Sequence, residues 1–183
     1  MFIVNPPLMV FLSVVLIVAA VIDLRVQKIP NLLTCSAMVV ALGCHSALHG
    51  WEGLLFSAGG LVVGMAIFFV PYLMGWMGAG DAKLMGAAGA ALGIKGVIAA
   101  SLLTAVIGGV YAIALLLIRR RYCAGMIARW AAMLKTLALT AQFIPVPAPA
   151  GEDERKPRLC YGVAIALGTM LYVLLEMGGY GFI

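Results

Sequence analysis

The feature that most constrains this chain is a series of apolar runs, each close to membrane-crossing length and separated by short charged breaks. About 20 apolar residues cross a bilayer as a helix. Such runs extend from about Pro7 to Ile22, Leu32 to Leu48, Leu54 to Trp76, Val97 to Ile118 and Leu159 to Leu175. Composition points the same way: 64% of the 183 residues are hydrophobic, 10% are charged and the mean hydropathy is +1.13. A water-soluble domain carries about 25% charge, and one this apolar would aggregate through its exposed surface. The expected fold class is therefore all-α, a polytopic transmembrane bundle of about six membrane segments, with residues 1–183 as one transmembrane domain.

The sixth segment is short. Ala82 to Gly93 is rich in glycine and alanine and reaches only about 18 Å at 1.5 Å per residue. It predicts a half-depth helix, or a span completed by neighbouring loops, with water reaching Asp81 from one side. Trp51-Glu52 reads as the turn after the second span, and Lys95-Gly96 as the break after the short segment.

Basic residues set the orientation. With the N-terminus outside and one crossing per run, Arg25, Lys28, Lys83, Arg119, Arg120, Arg121, Arg129, Lys135, Arg155, Lys156 and Arg158 fall on the inside. Only Lys95 falls outside, as the positive-inside rule requires. No basic residue precedes the apolar run in Met1 to Val10, contrary to the pattern of a cleaved signal peptide. Tyr122 to Phe143, apolar but carrying Arg129 and Lys135, reads as an amphipathic helix on the inner surface. A further span there would put Arg155, Lys156 and Arg158 outside. Pro145 to Pro149 starts a stiff linker, so residues 122–158 form an interfacial helix and linker. The net charge of +5 is explained by topology, and no nucleic-acid partner is expected.

Three aspartates occur in the chain. Asp153 lies in the solvated run Glu152 to Lys156. Asp23 and Asp81 sit at the inner ends of their segments, where each could simply mark a helix boundary. An ionisable residue at membrane depth is nonetheless a functional hypothesis by default. Both fall on one face of the membrane under an orientation derived without them. In Gly78-Ala79-Gly80-Asp81-Ala82-Lys83 the glycines let backbones approach closely, and Asp81 can cap the helix that follows. Two carboxylates that meet share one proton, so one can deprotonate water while the other polarises a scissile carbonyl. Paired intramembrane acids also serve proton relays, so a proton-coupled transporter or channel is the alternative. No internal repeat supports that alternative. A purely structural assembly subunit is the remaining class.

Other chemistry finds less support. His45 and His49 have a spacing that suits a metal, but Cys44 and Glu52 are their only companions, and no metal or cofactor is expected. The four cysteines, Cys35, Cys44, Cys123 and Cys160, form no CxxC pair and read as packing residues. No Walker-type loop is present, and Ser/His/acid hydrolysis lacks an inner-face histidine. Gly60 to Gly64 and Gly89 to Gly93 are GxxxG matches, read as helix-packing notches.

Asp23-Leu24-Arg25-Val26-Gln27-Lys28-Ile29-Pro30-Asn31 resembles the first motif of the type IV prepilin peptidases. Gly78-Ala79-Gly80-Asp81-Ala82-Lys83-Leu84 resembles their second, GxGDxKL. Order, separation and span layout match from about residue 8 to 118. The resemblance implies an intramembrane aspartyl endopeptidase that removes the short basic leader of prepilins at the cytoplasmic face of the bacterial inner membrane. It makes Asp23 and Asp81 the catalytic pair, with Gly78, Gly80, Lys83, Lys28, Pro30 and Asn31 shaping the site. Implied partners are a prepilin with an N-terminal apolar helix, membrane lipid and components of pilus assembly. Larger members carry a cytoplasmic zinc-binding loop with two CxxC pairs and N-methylate the product. This chain has neither that loop nor those cysteine pairs and resembles the small form associated with Flp (tight-adherence) pili. The presenilin and signal-peptide-peptidase group shares GxGD, but there a tyrosine precedes the first aspartate, where this chain has Ile22, and its Pro-Ala-Leu motif is absent here. On sign and side alone, Glu152 to Glu154 are expected to attract the basic leader.

Overall fold

A computed structural model describes residues 5–73, 77–118 and 160–178. Every regular element among them is an α-helix: α1 Pro6–Val26, α2 Asn31–Leu73, α3 Ala79–Ile118 and α4 Tyr161–Met177. The first three are long and apolar enough to cross a membrane, and α4 is a shorter apolar helix. The chain divides into two compact units, residues 1–109 with 159–183, and residues 110–158. Of the second, the last turns of α3 are described. The surface helix expected over 122–143, the linker after it and Glu152 to Glu154 lie outside the described residues.

Two of the helices are broken and fold back on themselves. Gly50 in α2 has φ 58° and ψ −135°, a left-handed conformation that costs glycine little. Beyond it the chain reverses, so that a Cβ on Gly53 would run into the carbonyl of His45. Gly93 breaks α3 in the same way, with φ 73°, and brings Val97 back beside Gly89. The described residues thus hold six helical limbs, as the apolar runs predict. The reversals come earlier than expected, at Gly50 rather than Trp51-Glu52 and at Gly93 rather than Lys95-Gly96. Positive φ with extended ψ, as at both breaks, is a conformation that glycine adopts far more readily than other residues, and Trp51-Glu52 and Lys95-Gly96 continue the limb that follows.

The limb 79–92 is about 21 Å long by its helical rise. It is short because it is central: Ala82, Leu84, Met85, Ala87, Ala88, Ala90, Ala91 and Leu92 are all buried. Its glycines and alanines admit neighbouring backbones. A Cβ on Gly60 would strike the carbonyl of Gly89, and one on Gly64 would meet the carbonyl of Met85 at 2.5 Å. The first GxxxG is therefore a packing notch on both of its glycines. In the second, Gly89 is a notch and Gly93 is the break.

Breaking a helix inside an apolar bundle frees carbonyls that must find donors. The Ser57 hydroxyl donates to the Ala90 carbonyl at 2.7 Å, and Nε2 of the buried His45 lies 3.1 Å from the Ala91 carbonyl. Both residues continue the buried stripe of α2, which runs Thr34, Ala37, Ala41, His45 and then Gly53, Ser57, Gly60, Gly64, Phe68. His45 thus serves the backbone of the central limb. Outward, the bundle shows large apolar side chains such as Leu32, Val39, Leu102 and Leu174, each more than 60% exposed. That surface is suited to lipid.

Candidate active site

Asp23 belongs to the packing stripe of its helix. Leu8, Leu12, Val15, Leu16 and Ala19 recur at three- and four-residue intervals along the buried face of α1, and Asp23 is the next position on it. Helical periodicity alone therefore carries a carboxylate into the bundle. One turn later the helix stops: Gln27 adopts a left-handed conformation, φ 54°, and its N–H donates to the Asp23 carbonyl at 2.9 Å. Asp23 is left in the last turn, 6% exposed. Its Oδ2 accepts a hydrogen bond from the backbone N–H of Gly162, in the first turn of α4, at 3.0 Å.

Asp81 stands at the opposite polarity, in the first turn of α3. It is 8% exposed, and its Oδ2 accepts from the N–H of Gly78 at 3.0 Å. The expectation that Asp81 caps the helix holds with a change of position. Helix α3 begins at Ala79, so Asp81 is its third residue and reaches back to the N–H of the residue before the helix, as the acid of a capping box does. Among the described residues neither carboxylate has a second hydrogen-bond partner.

Several contacts bring the two segments together. A Cβ on Gly80 would lie 3.1 Å from the Ile29 Cβ and 3.4 Å from the Ile29 carbonyl oxygen. Glycine therefore lets the start of α3 press against the loop that follows Asp23, and Ile29 is buried there. Lys83 Nζ donates to Asn31 Oδ1 at 2.9 Å, tying the second motif to the first residue of α2. The negative field of Asp23 reaches Asp81, and both fields reach the buried thiol of Cys160. The result is a pair of buried carboxylates at one end of the bundle, an arrangement suited to general acid–base hydrolysis.

Of the expected site-shaping residues, Gly78, Gly80, Lys83 and Asn31 take part in these contacts. Pro30 is exposed and supplies the carbonyl that receives the N–H groups of Leu33 and Thr34 at the start of α2. Lys28 is exposed on the same loop. Sequence reasoning missed Gly162 and Cys160. Neither stands in a motif, and a backbone N–H leaves no compositional trace.

The sequence matches the model of the type IV leader peptidase family over residues 10–113, a span that includes both aspartates. A prepilin leader peptidase/N-methyltransferase from Bacillus subtilis (strain 168) is 35% identical over 117 residues, which cover 62% of this chain and 46% of that protein. The chain thus aligns with less than half the length of that relative. No solved structure matches. The matched span takes in more than half of the residues and carries the pair of carboxylates that the fold buries at one end, and on that ground the chain belongs to the type IV leader peptidase family.

Proposed function

We propose that this protein is an aspartyl endopeptidase that removes the short basic leader peptide from prepilins at the cytoplasmic face of the bacterial inner membrane. One observation carries the proposal: Asp23 and Asp81, from separate helices, are buried within electrostatic reach of each other, each with one oxygen held by a backbone N–H. In the proposed reaction one carboxylate takes a proton from water. The other, protonated, donates to the scissile carbonyl and stabilises the oxyanion that forms. Low local dielectric strengthens both interactions. Lys83 and Asn31, joined across the two motifs, hold the segments in register.

The substrate fits the location. A prepilin leader is basic and precedes an apolar helix that lies in the bilayer, so its cleavage point sits near the interface, at the depth expected for the two aspartates. The chain is assigned to the small, Flp-pilus form, with N-terminus outside. The test is co-expression with a Flp-type prepilin, following leader removal on a gel for wild type, Asp23→Asn and Asp81→Asn. Processing by wild type and by neither variant supports the reading. Undiminished processing by either variant removes that residue from the mechanism, and none by a folded wild type returns weight to the transporter alternative.

A further inference from the structure

We propose that the first turn of α4 is a structural part of the catalytic site, and that Gly162 is the positioning residue for Asp23. The inference rests on the peptidase reading for its catalytic part. It concerns a segment beyond the span matched by the family, which ends at residue 113.

The first N–H groups of a helix have no partner within it. In α4 the residue preceding the helix, Cys160, makes no side-chain capping bond. The donor of Gly162 is therefore available by position, and the Asp23 carboxylate, arriving from α1, takes it at 3.0 Å. A helix N-terminus also favours negative charge. The bond restrains Oδ2 and with it the turning of the carboxylate.

Glycine at this position is required for space. Its backbone is not left-handed, so conformation does not call for glycine, and glycine within a helix costs about 0.5–1 kcal/mol relative to alanine. A Cβ here would lie 2.9 Å from Asp23 Oδ2 and 3.1 Å from both its Cβ and Cγ. Any side chain would push the carboxylate away from the N–H that holds it. Asp81 is held in the matching way, by the N–H of Gly78, so each aspartate has one glycine donor. The holder of Asp81 is local, whereas the holder of Asp23 comes from a distant helix.

The experiment combines kinetics with a thermal cycle on purified protein in detergent. Gly162→Ala is expected to lower kcat on a Flp-type prepilin by about 10²-fold, the scale of an ångström-level misplacement, with KM within about twofold. Its melting temperature is expected to fall in the wild-type background and to fall clearly less in an Asp23→Ala background, where the contacts with Oδ2 and Cγ are gone and only the tight contact with the Cβ remains. Recovery of folded Gly162→Ala only in the Asp23→Ala background supports the same conclusion. An equal thermal loss in both backgrounds, or a kcat like that of wild type, overturns the proposal while leaving the peptidase reading intact. A wild type that cleaves nothing overturns that reading and the catalytic part of this one, and the thermal cycle still decides whether Gly162 and Asp23 are coupled.

Discussion

Substituting alanine for Gly60 measures how closely the central limb is gripped. The added Cβ would lie 2.8 Å from the Gly89 carbonyl carbon and 2.8 Å from the Gly93 Cα. Carbon atoms in contact prefer about 3.5–4.0 Å, so these two contacts alone require the limbs to part by at least roughly 0.7–1.2 Å, and the still closer Gly89 carbonyl oxygen requires no less. A gap of about 0.5–1 Å forfeits a quarter to a half of the attraction of each contact it opens. The same movement stretches the Ser57–Ala90 hydrogen bond beyond its 2.7 Å and past the ordinary range. Overpacking of this kind costs about 1–3 kcal/mol, and the weakened bond adds about 1. Better helix propensity returns about 0.5–1, leaving a net loss of about 1–3 kcal/mol. Thermal unfolding in detergent reads this as a fall of several degrees for Gly60→Ala. Gly43→Ala and Gly109→Ala serve as comparators, because no atom of the described residues lies within 4 Å of a Cβ at either position. Both are expected to match or slightly exceed wild type. A Gly60→Ala protein as stable as these two would refute the close approach.

Other outcomes follow from the same contacts. Ser57→Ala leaves a carbonyl freed by the helix break without its donor and should cost about 1–2 kcal/mol, read by the same melt. Gly93→Ala must hold alanine at φ 73° and ψ −178° with a methyl driven into the Phe56 ring; it should lose more stability than Gly60→Ala, since a backbone conformation of this kind alone costs about 1–3 kcal/mol and the ring overlap adds to it. Lys83→Ala and Asn31→Ala each remove the same bond, so their effects on stability and cleavage should not add, and the double variant should resemble the worse single one. Asp23→Asn and Asp81→Asn should each reduce cleavage by about 10²–10⁴-fold without loss of folded protein in the membrane.

Much of this was legible in the residues because lipid simplifies the problem. Every apolar run had to be a helix, so the six limbs followed from hydropathy, and Asp23 and Asp81 stood out as charges that a membrane does not tolerate idly. Gly50 and Gly93 were harder to see. In a glycine-rich chain nothing in composition separates a glycine that reverses the backbone from one that admits a neighbour. His45 shows the opposite difficulty. Beside His49 it suggests a metal pair, yet its task depends on a carbonyl freed by a break in another helix, 46 residues away. Gly162 was invisible for the same reason: its contribution is a main-chain N–H and the absence of a side chain, both defined only once α1 and α4 are side by side.

The hydrogen bond between Gly162 and Asp23 spans 139 residues of sequence, and that separation has a meaning in time. At about 5–20 residues per second, a ribosome delivers Gly162 roughly 7–28 seconds after Asp23. Once Asp81 has been added, both aspartates of the nascent protein are made for the rest of that interval, and the first still lacks the N–H of Gly162. Helix α4, the last of the described helices to be made, thus acts as the final fitting of the proposed site, and a chain that stops short of α4 carries the two acids without the brace for one of them.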